Sequence, residues 1–114
     1  MRVLVCGGRD FNDWVKACGV FDSEDEHLGI DVVIHGAARG ADSLADRWAR
    51  ERGKPTLPFP ADWHLNGRAA GPIRNQRMLD EGKPNIVIAF PGGRGTADMV
   101  RRARAAGIPV EEIK

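Results

Sequence analysis

The sequence predicts an α/β fold: an open, mostly parallel sheet of about five strands with helices on both faces. Three observations carry this. Short β-branched runs alternate with amphipathic stretches along the whole chain. The runs are nearly all apolar instead of alternating, as strands buried on both faces are. Fourteen glycines and seven prolines punctuate the boundaries between them. The resulting order, β-α-β-α-β-α-β-α-β, calls for parallel strands joined by right-handed crossovers.

The elements follow in order. Arg2 to Cys6 is a strand ending in Gly7-Gly8. Residues 12–28 read as a helix, weakly patterned and acidic around Asp22 to Glu26, with a break expected near Gly19. Asp31 to His35 is a second strand, closed by Gly36. From Ala41 to Arg52 the apolar set Leu44, Ala45, Trp48 and Ala49 shares one helical face, and Gly53 and Pro55 stop it. Thr56 to Pro60 is a weaker third strand flanked by prolines. Residues 72–81 form a shorter helix carrying Ile73, Met78 and Leu79, with Gly82 as its stop. Asn85 to Phe90 is the strongest strand. From Thr96 to Ala106, Met99, Val100 and Ala103 are the buried stripe, while Arg101, Arg102 and Arg104 face solvent. Ile108 to Ile113 is a fifth strand whose Pro109 suits an edge or a strand start.

Composition excludes several classes. The 114 residues amount to about one domain, and one domain is expected over residues 1–114. With 42% hydrophobic and 29% charged residues, the chain is not a disordered one. Its net charge of +1 gives no whole-protein field toward nucleic acid or membranes. Apolar runs of only four or five residues offer no membrane span and no secretory signal. Cys6 and Cys18 show neither CxxC spacing nor a His/Cys cluster, which argues against structural zinc and a disulfide scaffold and fits a reducing cytoplasm. No residue pattern calls for a metal or another cofactor.

Three glycine-rich segments each follow a strand and precede a helix: Gly7-Gly8-Arg9-Asp10, Gly36-Ala37-Ala38-Arg39-Gly40-Ala41-Asp42 and Pro91-Gly92-Gly93-Arg94-Gly95-Thr96. In a parallel sheet all three loops emerge at the carboxyl edge, where ligands bind. Glycine allows close approach, helix N-termini expose free N–H groups, and Arg9, Arg39 and Arg94 add charge-assisted donors. Together they point to an anionic ligand. The spacing matches neither the Walker pattern nor GxGxxG.

A second constellation is Gly71-Pro72-Ile73-Arg74-Asn75-Gln76-Arg77-Met78, where Arg74 and Arg77 share a helix face. Before it, Asp62 to Arg68 reads as a polar loop bearing Trp63. Trp63 is either a base-stacking ring or a surface anchor, and the arginines are either ligand contacts or a solvated pair. His35, His64 and His27 read as structural or solvated.

These four motifs resemble the YspA, cpYpsA-related family of the SLOG superfamily, whose relatives include the LOG phosphoribohydrolases and DprA. The resemblance implies a Rossmann-like sheet that binds nucleotides or nucleotide-derived ligands, and a homodimer. LOG enzymes cleave N-glycosidic bonds of nucleoside monophosphates with a Pro-Gly-Gly-x-Gly-Thr-x-x-Glu motif and an upstream arginine. Pro91 to Thr96 match that motif and Arg74 takes the arginine position, but Met99 stands at the Glu position. A carboxylate there stabilises an oxocarbenium-like centre or activates water, and Met does neither. Asp98 is adjacent but about 100° away around the helix. DprA has a turn similar to His35–Asp42, a phosphate-binding feature that says little about DNA itself.

The expectation is therefore a binder of a nucleotide-type small molecule, with strand order 3-2-1-4-5 and the crevice between strands 1 and 4. Its binding residues would be Gly7, Gly8, Arg9, Gly36, Arg39, Gly40, Asp42, Arg74, Asn75, Pro91, Gly92, Gly93, Arg94, Gly95 and Thr96. Asp42 would accept a ribose hydroxyl or brace its turn. The alternative is LOG-like hydrolysis, with Arg74 and Asp98 as catalytic residues. Single-stranded DNA binding ranks third, since such a binder wants a basic groove with several stacking aromatics.

Overall fold

The computed structural model describes residues 1–114. Five parallel strands form one sheet: β1 (Arg2–Cys6), β2 (Val32–His35), β3 (Thr56–Pro58), β4 (Ile86–Ala89) and β5 (Val110–Glu112), in the order β3-β2-β1-β4-β5. The expected Rossmann-like arrangement is thus present. Leu4 sits in register with Ile34 on one side and Val87 on the other. Pro109 immediately precedes the edge strand β5, where its missing N–H costs no ladder bond.

The apolar runs are continuous because each central strand feeds two cores. Along β1, Val3 and Val5 join Phe21, Ala45 and Trp48, whereas Leu4 and Cys6 join Met78, Met99 and Val100. In β4, Ile88 takes the first side and Val87 and Ala89 the second. This period of two against helices on both faces is what a parallel sheet demands. The first face carries α1 (Trp14–Leu28) and α2 (Ala41–Glu51), and the second carries α4 (Ala70–Gly82) and α5 (Arg94–Ala105). No helix is long and apolar enough to cross a membrane.

Several boundaries differ from expectation. Helix α1 runs unbroken through Gly19, which lies on the exposed side with open space around it. A solvent-facing glycine costs about 1 kcal/mol of propensity. Burial of Ala17 and Phe21 and the Asp13 cap, whose side chain accepts from the Lys16 N–H, outweigh that. Gly82 does not stop α4 by turning left-handed; Lys83 does, at φ 50°. Gly82 is needed for packing, since a Cβ there would come within 3.1 Å of the Ile34 side chain. The loop expected over residues 62–68 contains a short helix, α3 (Trp63–Asn66), followed by a 3-10 turn, Gly67–Ala69. Asp62 caps α3 by accepting from the Leu65 N–H at 2.9 Å. Four helical residues are too few to show an apolar period.

Candidate functional site

The sheet order reverses between β1 and β4, and the turns that follow them open onto the same crevice. A cavity of about 800 Å³ lies there, floored by Cys6 and Met78 and walled by the β1 turn, α3, α4 and the α5 start. Among the expected residues, Gly7, Gly8, Arg9, Asp42, Arg74, Asn75, Gly93, Arg94, Gly95 and Thr96 line it. A smaller depression of about 430 Å³ adjoins it, lined by Gly36 and Arg39 and sharing Arg9, Ala38, Trp63 and Arg74 with the first. Pro91, Gly92 and Gly40 line neither.

Glycines of all three segments bring the turns together. A Cβ on Gly40, at φ 82°, would run into the Gly8 carbonyl and the Arg9 backbone. One on Gly92 would lie 2.6 Å from the Gly8 nitrogen, and one on Gly7 2.6 Å from the Ala41 Cβ. Gly8 also donates to the Pro91 carbonyl at 2.9 Å and accepts from Ala41 at 3.2 Å. All three turns lean on one another, and any side chain at these positions would push them apart.

The three turns differ in the donors they have left. Asp42 is buried and its carboxylate accepts the N–H groups of Gly36 (3.1 Å) and Ala38 (3.3 Å). Ala37 donates to His35 Nδ1 at 3.0 Å, and His35 Nε2 meets Asp46 at 2.9 Å. The α2 turn is therefore filled by the protein's own carboxylate, and Asp42 is a brace. Burial pushes the Asp42 carboxyl up, against the pull of the Ala38 and Gly36 N–H groups and of nearby His35 and Arg74. At α5 no side chain caps the helix, and the N–H groups of Arg94, Gly95 and Thr96 have no backbone acceptor. Here the free donors and the helix dipole face the cavity.

Arg74 and Arg77 diverge despite their spacing. Arg74 reaches across the cleft and donates to the Gly36 carbonyl at 2.5 Å, lying where a Gly36 side chain would be. Burial lowers its pKa, with Asp42 opposing and Arg9 adding to the shift. Arg77 stays on the surface, pairs with Glu81 at 2.8 Å and sits over the Phe59 ring. Asn75, 4% exposed, accepts from Arg74 Nε at 3.1 Å and donates to the Gly95 carbonyl at 3.2 Å.

Asp98 and Met99 resolve in opposite directions. Met99 is wholly buried in the core beneath the sheet. Asp98 lines the cavity, where it is held by Asn75, Arg101 and Arg102 at 3.0, 2.5 and 2.9 Å. Burial raises its pKa, but these hydrogen bonds and the two arginine charges outweigh burial and leave it below the usual carboxylate range. Arg102 also reaches Gln76 on α4 at 3.0 Å, so it bridges helices and does not face solvent as expected. Arg101 sits on the cavity rim.

Arg68, Gly71, Pro72 and Ala97, which belong to the quoted segments but not to the expected binding set, also line the cavity. Trp63, left open by the sequence between two readings, is 49% exposed and lines both depressions, with the Arg9 guanidinium 5.5 Å from its ring centroid. The short helix that positions it is the missed signal. Its cue was the Asp62 cap.

Fold and cleft define a Rossmann-like α/β domain with its crevice at the topological switch point. The YspA, cpYpsA-related SLOG family matches residues 1–65. A relative from Mycobacterium phage D29, the Gene 61 protein, is 42% identical over 96% of this chain and 93% of its own. The chain belongs to the YspA, cpYpsA-related SLOG family. In fold it is similar to DNA processing protein A (DprA) from Streptococcus pneumoniae, with a TM-score of 0.79 at 20% identity over 98% of this chain. It spans only 50% of the DprA chain. MurG from Acinetobacter baumannii is also similar, with a TM-score of 0.61 at 15% identity, covering 96% of this chain and 33% of that one.

Proposed function

We propose that residues 1–114 act as one domain that binds a nucleotide or nucleotide-derived small molecule in the β1/β4 crevice. One observation carries this reading. Arg47, Arg50, Arg52, Arg77, Arg101, Arg102 and Arg104 each have a carboxylate within 4 Å. Of the rest, Arg2 is spent on the Gly82 and Lys83 carbonyls. The remaining five, Arg9, Arg39, Arg68, Arg74 and Arg94, all line the two adjoining depressions. A chain of net charge +1 thus gathers its unneutralised guanidinium groups at one edge of the sheet. A ligand with phosphate satisfies them.

In this reading the phosphate sits at the N–H groups of Arg94, Gly95 and Thr96, with the Arg94 side chain beside it. Arg74 pairs with phosphate or ribose, and the base stacks on Trp63. Binding is favoured over hydrolysis because position 99 lies in the core and Asp98 is tied down by three donors. The LOG-like alternative keeps one support, the cavity position of Asp98 next to the α5 N-terminus. Unpaired Cys6 and Cys18 support a cytoplasmic setting. Leu65 and Ile73, exposed on the adjoining α3 and α4, support the homodimer, which sedimentation of the purified chain tests.

The test is native mass spectrometry after incubation with nucleoside mono-, di- and triphosphates, ADP-ribose and dinucleotides. One intact ligand retained per subunit is the expected result. Retained ribose 5-phosphate with free base would establish the hydrolase instead, and no retained mass would end the nucleotide reading.

A further inference from the structure

We propose that the ligand is a nucleoside phosphorylated at both ends, on its 5′ and its 3′ oxygen, an inference that rests on the nucleotide reading above. The cleft has two cationic poles with an aromatic ring between them. The first pole is the uncapped α5 start, with three free N–H groups and Arg94. The second is the smaller depression, where Arg39 is exposed and pairs with no carboxylate. Trp63, Arg9 and Arg74 are common to both.

The two poles read charge differently. At the second, the N–H groups of Gly36, Ala37 and Ala38 are already used within the protein. The guanidinium groups of Arg9, Arg39 and Arg74 remain there with the Arg39 N–H, which has no backbone acceptor, and together they suit a phosphate monoester or diester that stays partly in water. The loop that forms this pole holds Ala37 at φ 56°. An alanine in the left-handed region is strained by about 1 kcal/mol or more, and such strain clusters at ligand sites. The two phosphates of a 5′-diphosphate leave the sugar on the same side, so both belong with the first pole. A group beyond the sugar can reach Arg39 while the base lies on Trp63.

The chemistry is shared by a free nucleoside 3′,5′-bisphosphate and by the repeating unit of a short single strand, and the experiment separates them. Isothermal titration calorimetry of the full chain compares AMP, ADP, adenosine and thymidine 3′,5′-bisphosphates, and a 5′,3′-phosphorylated trinucleotide. At least one bisphosphate should bind ten-fold or more tightly than AMP and ADP. Arg39→Gln should bring the bisphosphate-to-AMP ratio close to one, whereas Arg94→Gln weakens both ligands together. Arg39 makes no hydrogen bond to the rest of the protein, so this variant folds, and circular dichroism verifies it. A trinucleotide that binds tighter still, with the same Arg39 dependence, assigns the source to a strand; equal affinity assigns it to the free bisphosphate. AMP bound as tightly as the bisphosphates, or a ratio unmoved by Arg39→Gln, overturns the two-ended ligand and leaves the nucleotide reading intact. No binding by any of these compounds overturns the two-ended ligand, and it overturns the nucleotide reading as well when the wider nucleotide panel also leaves no retained mass.

Discussion

The side-chain amide of Asn75 donates to the Asp98 carboxylate at 3.0 Å and thereby ties α4 to the start of α5. The same nitrogen reaches the Gly95 carbonyl, and the amide oxygen accepts from Arg74. One buried side chain thus links the arginine that crosses the cleft to the turn whose N–H groups face the cavity. Both its position and its satisfaction make it costly to lose.

Asn75→Leu should destabilise the fold by about 1–3 kcal/mol, the usual cost of leaving buried polar partners unmatched. Urea unfolding measures this. Ligand affinity should fall as well, because Gly95 and Arg74 lose their common support. Unchanged stability would mean that water replaces the amide.

Met99→Glu should not create a hydrolase. The side chain is wholly buried among Leu4, Val87 and Ala103, so a carboxylate there costs on the order of 3–5 kcal/mol. Met99→Leu, which keeps the volume, should cost less than about 1.5 kcal/mol. Comparing the two by thermal unfolding separates a packing role from a site role. A stable, soluble Met99→Glu chain that releases free base from a nucleoside monophosphate would contradict the register described above.

Trp63→Ala should leave stability nearly unchanged, since the ring is about half exposed. Its effect belongs to binding: about 1–3 kcal/mol of affinity, the usual worth of a base stacked on an aromatic ring. Fluorescence gives a second readout. Trp48 is fully buried and Trp14 lies under Arg47 at 3.9 Å, so ligand-induced quenching should vanish in Trp63→Phe only if Trp63 is the platform.

Stability should fall between about pH 4.3 and 7 through one carboxylate pair. Glu24 on α1 faces Glu111 on β5, and the proton it can share with that carboxylate, with burial and the Glu111 charge, raises its pKa to about 7. The folded chain therefore keeps a proton that the unfolded chain gives up. The contribution is complete below the unfolded glutamate pKa and is lost as pH rises through about 7. Solvent screening limits it to less than about 1 kcal/mol. Urea midpoints at pH 5 and pH 8 should converge in Glu111→Gln, and a slope that survives this change would place the titration elsewhere.

Much of the fold was legible because its signals are local. A strand buried on both faces must be apolar throughout, so β1, β2 and β4 stand out at nearly their true limits. Glycine turns and proline stops separated them, and the alternation of elements gave the parallel sheet and its switch point. The weaker pieces, α3 and the unbroken α1, depended on a single cap or on burial that no short window records.

The sequence by itself determined that three arginine-bearing glycine turns would meet at one sheet edge. Only the tertiary structure decided which of them has donors to offer. Asp42 accepts the Gly36 and Ala38 N–H groups ahead of α2, whereas no carboxylate meets the N–H groups of Arg94, Gly95 and Thr96 at α5, and this difference depends on how the turns pack against one another. Packing against the sheet also sets the rotation of α5, which sends Met99 inward and Asp98 to the cavity. The arginines divide for the same reason. Arg47, Arg50, Arg77, Arg101 and Arg102 find carboxylates one turn away on their own helices, while Arg9, Arg39, Arg68, Arg74 and Arg94 around the cleft have none within 4 Å, so a nearly neutral chain presents a charged cleft.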